Sequence, residues 1–160
     1  RQDYIDLINK IKCRIPLIAI TTDVLVGFPS ETESDFKETV SLIKQVIPLK
    51  THIFPYSSRE GTLAAKKFKN RLNPVLVKER MNYLSKIADA CSLKYRKQFL
   101  HKRLEVLIED KAYKQTGFWQ GYTSNYMKLL VKSAGIAKNT LLAVRIKEVL
   151  KDYSLAQKTF

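Results

Sequence analysis

Two short segments of the chain carry residue types that could take part in chemistry. In TTDVLVGFPSETESDF, residues 21–36, Asp23 places a charge inside an apolar run, which is costly unless the charge is paired or functional. Gly27 follows the run, and a residue without a Cβ lets the backbone approach a ligand closely or adopt a turn. In FPYSSREGT, the rings of Phe54 and Tyr56 would either hold a flat heterocycle or fill a core. The pattern alone leaves these alternatives open.

Other kinds of catalytic or metal site have little support. The sequence contains no Ser-His-Asp, H-E-x-x-H or P-loop pattern, and His52, in a strand pattern, is interpreted as a packed or hydrogen-bonded structural residue. Cys13 and Cys91 are 78 positions apart, so they form no disulfide framework and no zinc or iron-sulfur ligand set. Cys91 lies in an apolar helical stripe and is interpreted as a packing residue. The sequence predicts no complete metal site and a reducing compartment.

Helices and strands alternate around the two segments. Residues 4–13 have helical spacing, and residues 15–28 form a continuous apolar run typical of a buried parallel strand. Ser30 and Glu33 fit an S-x-x-E capping box at the start of the next helix, and residues 51–56 predict a second strand. This alternation is typical of a parallel sheet or barrel, whose active site lies at the carboxyl ends of the strands.

The second half of the chain has a different periodicity. Asn73 and Pro74 predict the start of a long helix, whose apolar stripe continues to Phe99. From Leu104 the period changes to two, and five short segments predict five strands of a small closed antiparallel barrel of the oligonucleotide-binding type. We therefore divide the chain into an α/β part (1–69), a linking helix (70–97) and an all-β barrel (98–160).

The charge distribution indicates a nucleic-acid partner. The 160 residues include 29 Lys plus Arg and 15 Asp plus Glu, a net charge of +14, and residues 97–160 hold 12 basic and 5 acidic side chains. Cations attract phosphates and rings stack on bases, although a basic domain without such a partner is the alternative. No apolar run approaches the roughly 20 residues of a membrane span, so we expect a soluble, cytoplasmic protein.

The two segments also carry a family resemblance. A D-x-x-V-G-F-P-x-E-T-x-x-D-F motif begins at Asp23, and an F-P-Y-S-x-R-x-G-T-x-A motif begins at Phe54. With the long helix, LEVLIE and GYTSNYMKLLV, they resemble the C-terminal half of tRNA methylthiotransferases of the MiaB and MtaB type, which are radical S-adenosylmethionine enzymes. The resemblance covers essentially the whole chain and is closest to the branch that modifies N6-threonylcarbamoyladenosine.

The resemblance implies a fold and a cofactor site. Residues 1–69 would be the last two βα units of a radical enzyme barrel, and residues 98–160 a TRAM domain that binds tRNA. The S-adenosylmethionine contacts implied by position are Thr22, Asp23, Val24, Val26, Gly27, Phe54, Pro55 and Tyr56. Arg59, Gly61 and Thr62 match the R-x-G-T element and are expected to shape the barrel mouth.

The resemblance also implies an activity and a partner. A methylthio group would be installed at C2 of a modified adenosine beside the anticodon of tRNA. The candidate tRNA contacts are Tyr122, Asn125, Tyr126, Lys128 and Arg145, the rings for stacking and the cations for phosphates. The alternatives are that these residues are ordinary barrel surface, that the chain is a non-enzymatic RNA-binding module, or that a ribosomal protein is the substrate.

Some residues of the family pattern are missing. The C-x-x-x-C-x-x-C triad of one 4Fe-4S cluster and the N-terminal cysteines of a second are absent, and Cys13 and Cys91 cannot replace them. We therefore expect an inactive fragment, consistent with a start at Arg1, that still binds tRNA. Its α/β part, with open sheet edges, is expected either to self-associate or to be partly mobile. Ser30 replaces a usual glycine and should avoid a positive φ, whereas Asn139 is the nearest residue able to replace a missing turn glycine of the barrel.

Overall fold

The computed structural model describes residues 1–68, 72–111, 117–132 and 135–159, and its contacts divide the chain into two compact units. The first unit contains residues 1–16 and 20–92, and the second contains residues 17–19 and 93–160. The elements of the first are α1 (Gln2–Arg14), β1 (Thr21–Val26), α2 (Glu33–Val46), β2 (Lys50–Pro55), α3 (Leu63–Lys67) and most of α4 (Pro74–Lys97). Within these described ranges, no helix has both the length and the apolar character to cross a membrane.

The first unit is built on a two-stranded parallel sheet. β1 and β2 pair in register from Thr21 opposite Lys50 to Val26 opposite Pro55. The buried core on one side of this sheet consists of Val26, Phe36, Val40, Ile43, Leu84 and Cys91. The Cys91 thiol lies 3.6 Å from the Ile43 carbonyl oxygen, which confirms its interpretation as a packing residue. No further strand pairs with the outer edge of β1 or β2 among the described residues.

The start of α2 differs from the sequence prediction. The predicted capping box of Ser30 and Glu33 is wrong, because the N-cap of α2 is Thr32. The Thr32 hydroxyl accepts a hydrogen bond from the Asp35 N–H at 3.1 Å, and the Asp35 carboxylate accepts one from the Thr32 N–H at 2.9 Å. Glu33 is occupied elsewhere, since its carboxylate accepts a hydrogen bond from Arg80 at 3.1 Å. Ser30 has no positive φ, as expected.

The second unit is a closed five-stranded barrel with the neighbour order β3 (Arg103–Lys111), β4 (Phe118–Thr123), β5 (Lys128–Lys132), β7 (Ser154–Lys158) and β6 (Leu141–Val149). The number of strands matches the prediction, but the wholly antiparallel pairing does not, because β5 and β7 run parallel. A ring with an odd number of strands cannot alternate in direction at every pair. One parallel pair is therefore a consequence of closure.

Two backbone positions shape the barrel. A Cβ on Gly121 would lie 2.1 Å from the Leu107 carbonyl oxygen, so β4 can approach β3 here only with a glycine. Asn139 adopts a left-handed conformation with φ +61°, as expected, and its N–H donates a hydrogen bond to the Ile108 carbonyl at 2.8 Å. The barrel interior is filled mainly by Val106, Ile108, Met127, Leu129, Val131, Val144 and Ile146.

Candidate functional site

The two sequence motifs of the first unit meet at the carboxyl ends of β1 and β2. Val26 lies opposite Pro55, and the Tyr56 N–H donates a hydrogen bond to the Val26 carbonyl at 2.8 Å. Gly27 follows with φ +85°, and a Cβ at this position would lie 2.7 Å from a Val77 methyl group of α4. The structure thus explains Gly27 by its turn and by its packing against a helix.

The predicted cofactor contacts on β1 divide between two faces of the sheet. Val26 is fully buried and Thr22 and Val24 are partly buried, so these side chains face the helices. Asp23 is exposed on the opposite face, where its charge carries no burial penalty. Because side chains alternate along a strand, the same face carries Leu25 of β1. This open face is the part of the sheet whose side chains are accessible to a ligand.

β2 completes the open face with two rings. Asp23 lies opposite His52, and Leu25 lies opposite Phe54. The His52 and Phe54 rings are stacked, with centroids 6.4 Å apart and an interplanar angle of 10°. Of the two environments expected for His52, packed or hydrogen-bonded, packing in the core is wrong, because Thr51 and Ile53 take the core-facing positions of this strand and His52 is exposed. The open face therefore combines a carboxylate, an aliphatic side chain and two parallel rings.

A buried ion cluster that the motifs did not reveal holds the turn after β1. Arg80 of α4 is 5% exposed and donates to the Glu31 carboxylate at 2.7 Å. The same Glu31 oxygen accepts a hydrogen bond from the Gly27 N–H at 3.0 Å. The Arg80 guanidinium also lies 5.1 Å from the centroid of the Phe36 ring. The available sequence signal was a charged residue next to Met81 within the apolar stripe of α4, since a charge at a buried position requires a partner.

The residues after β2 form an aromatic turn and a short helix. The Tyr56 ring lies edge-on to Phe28 at 5.1 Å, and Phe28 lies edge-on to Phe68 at 5.4 Å. The residues predicted to shape a barrel mouth lie in this turn: the Thr62 hydroxyl donates to the Arg59 carbonyl at 2.7 Å and caps α3, and Gly61 has φ +83°. Tyr56 therefore supports the turn with its ring.

Two cavities lie in the first unit. One, of about 290 Å³, is lined by four consecutive residues of β1, Thr22 to Leu25, together with α1 and α2 side chains. Consecutive strand residues belong to both faces, so this groove follows the free edge of β1. The other, of about 590 Å³, lies between α2 and Tyr83 of α4 and contains none of the predicted site residues.

The described residues do not fit an iron-sulfur cluster. Cys13 is exposed on α1, Cys91 is buried in the core, and within the described ranges no group of three His, Cys, Asp or Glu side chains is placed to hold a metal ion. A 4Fe-4S cluster takes thiolates from several cysteines, usually four.

The predicted tRNA contacts in the second unit have different environments. Tyr122 of β4 faces outward between Leu107 of β3 and Lys128 of β5. Tyr126, in the turn between β4 and β5, is 77% exposed with φ +58°. These three predicted residues, Tyr122, Tyr126 and Lys128, lie on one hairpin and are available to a ligand.

The other two predicted contacts have protein partners. The Asn125 amide donates to the Tyr95 hydroxyl at 3.0 Å, and its carbonyl oxygen accepts from the Thr123 hydroxyl, so its side chain stabilises the turn. Arg145 of β6 donates to the His101 carbonyl at 3.2 Å and lies opposite Arg103 of β3. The structure therefore separates Arg145 from the β4–β5 hairpin and places it beside a second arginine that the sequence analysis did not select.

No protein-family model matches the chain, but comparison with known proteins finds relatives along nearly its whole length. It is 35% identical over 157 residues to the threonylcarbamoyladenosine tRNA methylthiotransferase MtaB of Bacillus subtilis (strain 168). The aligned residues cover 96% of this chain and 34% of that relative. It is 38% identical over 155 residues to the tRNA-2-methylthio-N(6)-dimethylallyladenosine synthase of Staphylococcus haemolyticus (strain JCSC1435). The aligned residues cover 97% of this chain and 30% of that relative.

The tRNA-2-methylthio-N(6)-dimethylallyladenosine synthase of Bacillus subtilis (strain 168) is 36% identical over 155 residues. Sequence identity therefore does not separate the two kinds of relative. The chain spans about a third of the length of these relatives. A match over 96% of the chain includes both motifs and most of the two units. The chain thus matches, over nearly its whole length, a C-terminal part of MtaB- and MiaB-type tRNA methylthiotransferases.

Proposed function

We propose that this chain is part of an enzyme that installs a methylthio group at C2 of an adenosine beside the anticodon of tRNA. The observation that carries the proposal is the match of 96% of the chain to a relative named for that reaction. We propose N6-threonylcarbamoyladenosine as the target, because the F-P-Y-S-x-R-x-G-T motif and GYTSNYMKLLV resemble that branch. The longer enzyme would act in the cytoplasm, on tRNA.

The first unit would hold the nucleoside part of S-adenosylmethionine on its open face. When bound, this cofactor supplies the methyl group and the radical chemistry of the family. The stacked His52 and Phe54 rings and the Leu25 side chain offer an apolar surface on which adenine can stack. The Asp23 carboxylate can accept hydrogen bonds from ribose hydroxyls. Thr22, Val24 and Val26 would support this surface from the core side, and Gly27, Pro55 and Tyr56 would contribute backbone groups.

The described residues of this chain would hold no iron-sulfur cluster, because they do not fit one. The clusters implied by the family would be held by other parts of the longer protein. The chain by itself would therefore be inactive and would retain RNA binding through its second unit.

Analysis of tRNA nucleosides by mass spectrometry tests the activity. Cells that lack the gene should lack 2-methylthio-N6-threonylcarbamoyladenosine, and the longer protein that contains this chain should restore it. Loss of the 2-methylthio form of dimethylallyladenosine instead would overturn the proposed target. Unchanged nucleosides of both kinds would overturn the tRNA activity itself and leave a ribosomal protein or no substrate.

Cofactor binding to the longer protein tests the open face separately. Asp23→Asn and Phe54→Ala should each weaken S-adenosylmethionine binding measured by equilibrium dialysis by roughly tenfold, as expected for loss of one good contact. Asp3→Asn on α1 and Leu63→Ala, whose side chain is 83% exposed, are matched controls outside the face and should leave the affinity unchanged. Equal affinities for all four variants would exclude this face as the cofactor site.

A further inference from the structure

We propose that the second unit binds unpaired RNA nucleotides along the outward face of β3 and β6, with bases at one end of this face and a phosphate at the other. This inference rests on the proposed tRNA binding and specifies which part of an RNA the barrel contacts. Two groups of outward side chains carry it, an apolar row and an arginine pair. Both are defined by strand register.

The apolar row crosses three strands and ends beside a lysine on a fourth. Leu107 of β3 lies opposite Tyr122 of β4 on one side and opposite Leu141 of β6 on the other, and Lys128 of β5 lies opposite Tyr122. Leu107 is 45% exposed, Tyr122 36% and Leu141 59%. Exposed apolar side chains that are neighbours on one face of a barrel indicate a binding surface. A ring with an aliphatic side chain on one side and a cation on the other is suited to the flat face of a base.

The arginine pair lies on the same face, farther along β3 and β6. Arg103 is directly opposite Arg145, and like charges in this position repel each other. Across the described parts of the chain, no carboxylate lies within ion-pair distance of either guanidinium. Arg145 uses one donor for the His101 carbonyl, which leaves other donors available. A phosphate between the two guanidinium groups would relieve the repulsion and accept hydrogen bonds from both.

The two groups are close enough for one RNA strand to contact both. Arg103 and Leu107 are four residues apart on β3, which corresponds to about 13 Å at about 3.3 Å per residue. Between them, Glu105 lies opposite Ala143. The carboxylate of Glu105 would face the RNA strand and repel its phosphates, so it opposes binding without preventing it. Removal of the Glu105 carboxylate therefore tests whether the RNA strand passes between the arginine pair and the apolar row.

The apolar row selects unpaired nucleotides. In an RNA double helix, bases stack on each other and present phosphates and 2′-hydroxyls outward, so their faces are not available to side chains. A duplex would contact the cations of the barrel and leave the apolar row exposed. Unpaired bases would stack on Tyr122 and pack against Leu107 and Leu141. Substitutions in the apolar row should therefore affect single-stranded RNA and not duplex RNA.

Fluorescence anisotropy with the full 160-residue chain tests this inference. The probes are a tRNA transcript, a single-stranded RNA of about 12 nucleotides and a duplex of the same length. Tyr122→Ala and Leu141→Ala should weaken single-strand binding by roughly tenfold and leave duplex binding unchanged. Tyr122→Phe keeps the ring and should bind as the parent does, which separates a lost contact from a folding defect. Leu63→Ala is the matched control in the first unit.

The arginine pair and Glu105 have their own expected results. Arg103→Gln and Arg145→Gln should weaken binding of all three probes, and each should reduce the slope of log affinity against log salt by about 1. Glu105→Gln should strengthen single-strand binding by about twofold or more, whereas Glu60→Gln, which changes the net charge equally in the first unit, should not.

The outcomes separate the inference from the proposed function. If the chain binds tRNA and its apolar-row variants bind the single strand as well as the parent does, the inference is wrong and tRNA binding stands. The inference is also wrong if these variants lose duplex and single-strand binding equally. If the chain binds no RNA, the proposed role of the second unit fails together with the inference.

Discussion

The two units use strands in opposite ways. In the barrel of the second unit each strand has a neighbour on both sides, so the hydrogen-bond ladders close on themselves. In the first unit, β1 and β2 pair only with each other among the described residues, and both outer edges are open. A two-stranded sheet has little stability of its own, so the first unit depends on its helices and on contacts outside the ladder. The stability of the closed second unit therefore depends on how closely its strand backbones approach each other. The stability of the open first unit depends more on side-chain contacts.

Two buried arginines of α4 show the same difference. Arg80, in the first unit, is paired with the carboxylates of Glu31 and Glu33. Arg96, in the second unit, is 4% exposed and donates to the backbone carbonyls of Leu150, Lys151 and Tyr153 in the β6–β7 turn. One charge is compensated by opposite charge, and the other satisfies the backbone of a tight turn. The first arrangement can be tested by removing both partners together.

The largest expected effect is on barrel closure. Gly121→Ala places a Cβ about 2.1 Å from the Leu107 carbonyl oxygen, so β3 and β4 must separate. We expect a loss of about 4 kcal/mol or failure of the second unit to fold, measured by hydrogen exchange resolved for each unit. Gly117→Ala is the control, because nothing lies within 4 Å of its Cβ and only its positive φ is strained. Similar hydrogen-exchange rates in Gly121→Ala and Gly117→Ala would contradict the idea that close approach of β3 and β4 limits the stability of the barrel.

The next effect is on the ion cluster of the first unit. Arg80→Leu leaves the buried Glu31 carboxylate without its partner and should lower the free energy of unfolding by about 3 kcal/mol in urea. The double variant Arg80→Leu with Glu31→Leu should recover part of this loss, because no uncompensated charge remains. Arg1→Leu, which removes an exposed pair with Glu38 at 3.2 Å, should cost about 1 kcal/mol or less. If the loss of unfolding free energy in the double variant equals the sum of the losses in Arg80→Leu and Glu31→Leu, the two side chains do not stabilise each other.

A smaller effect concerns a tyrosine of the second unit. The Tyr95 hydroxyl donates to the Leu17 carbonyl at 2.6 Å and accepts from the Asn125 amide at 3.0 Å. Tyr95→Phe leaves both groups without this partner and should cost about 2 kcal/mol in urea unfolding at neutral pH. Ser124→Ala, on the exposed surface of the same turn, is the control and should have no measurable effect.

The pH dependence of this residue has a definite sign. Burial raises the pKa of Tyr95, opposed by the hydrogen bond from Asn125. The folded state therefore favours the neutral phenol, and its contribution is complete below the ordinary tyrosine pKa of about 10 and is lost as pH rises through the higher folded pKa. The stability difference between the parent chain and Tyr95→Phe should shrink at alkaline pH. A constant difference up to high pH would contradict this.

Local patterns predicted much of both units. The change of period at Leu104 correctly indicated five strands, and Asn139 was identified as a left-handed turn residue, because both depend on neighbouring residues. The parallel β5–β7 pair was missed, because strand order depends on closure of the whole ring. The strand predicted over residues 15–28 is shorter, Thr21–Val26, and preceded by Leu17 with φ +63°.

The sites were predicted less completely than the elements. The motifs around Asp23 and Phe54 correctly pointed to strands that lie side by side, but sequence alone did not show which side chains face the core. A strand pattern does not show which face of the strand lacks a cover, so the sequence predicts a packed or hydrogen-bonded His52 where the structure has an exposed one. The partners Arg80 and Glu31 are 49 positions apart, and Arg103 became notable only through its register with Arg145. Pairs of residues so far apart in sequence can be recognised only from the tertiary structure.

The smallest expected effect tests the corrected start of α2. Thr32→Ala removes the cap that accepts the Asp35 N–H and should cost about 1 kcal/mol in urea unfolding, whereas Ser30→Ala should have no measurable effect. The Thr32 hydroxyl and N–H also donate to the Asp35 carboxylate and lower the pKa of Asp35, so this carboxylate part of the cap is present above the ordinary carboxyl pKa of about 3.9 and is lost as pH falls through the lower folded value. The stability gap between Thr32→Ala and the parent should therefore narrow in acid, where only the hydrogen bond from the Asp35 N–H to the Thr32 hydroxyl remains. Because an open-edged sheet relies on its helices, a Thr32 effect as small as that of Ser30 would show that α2 is held by core packing alone.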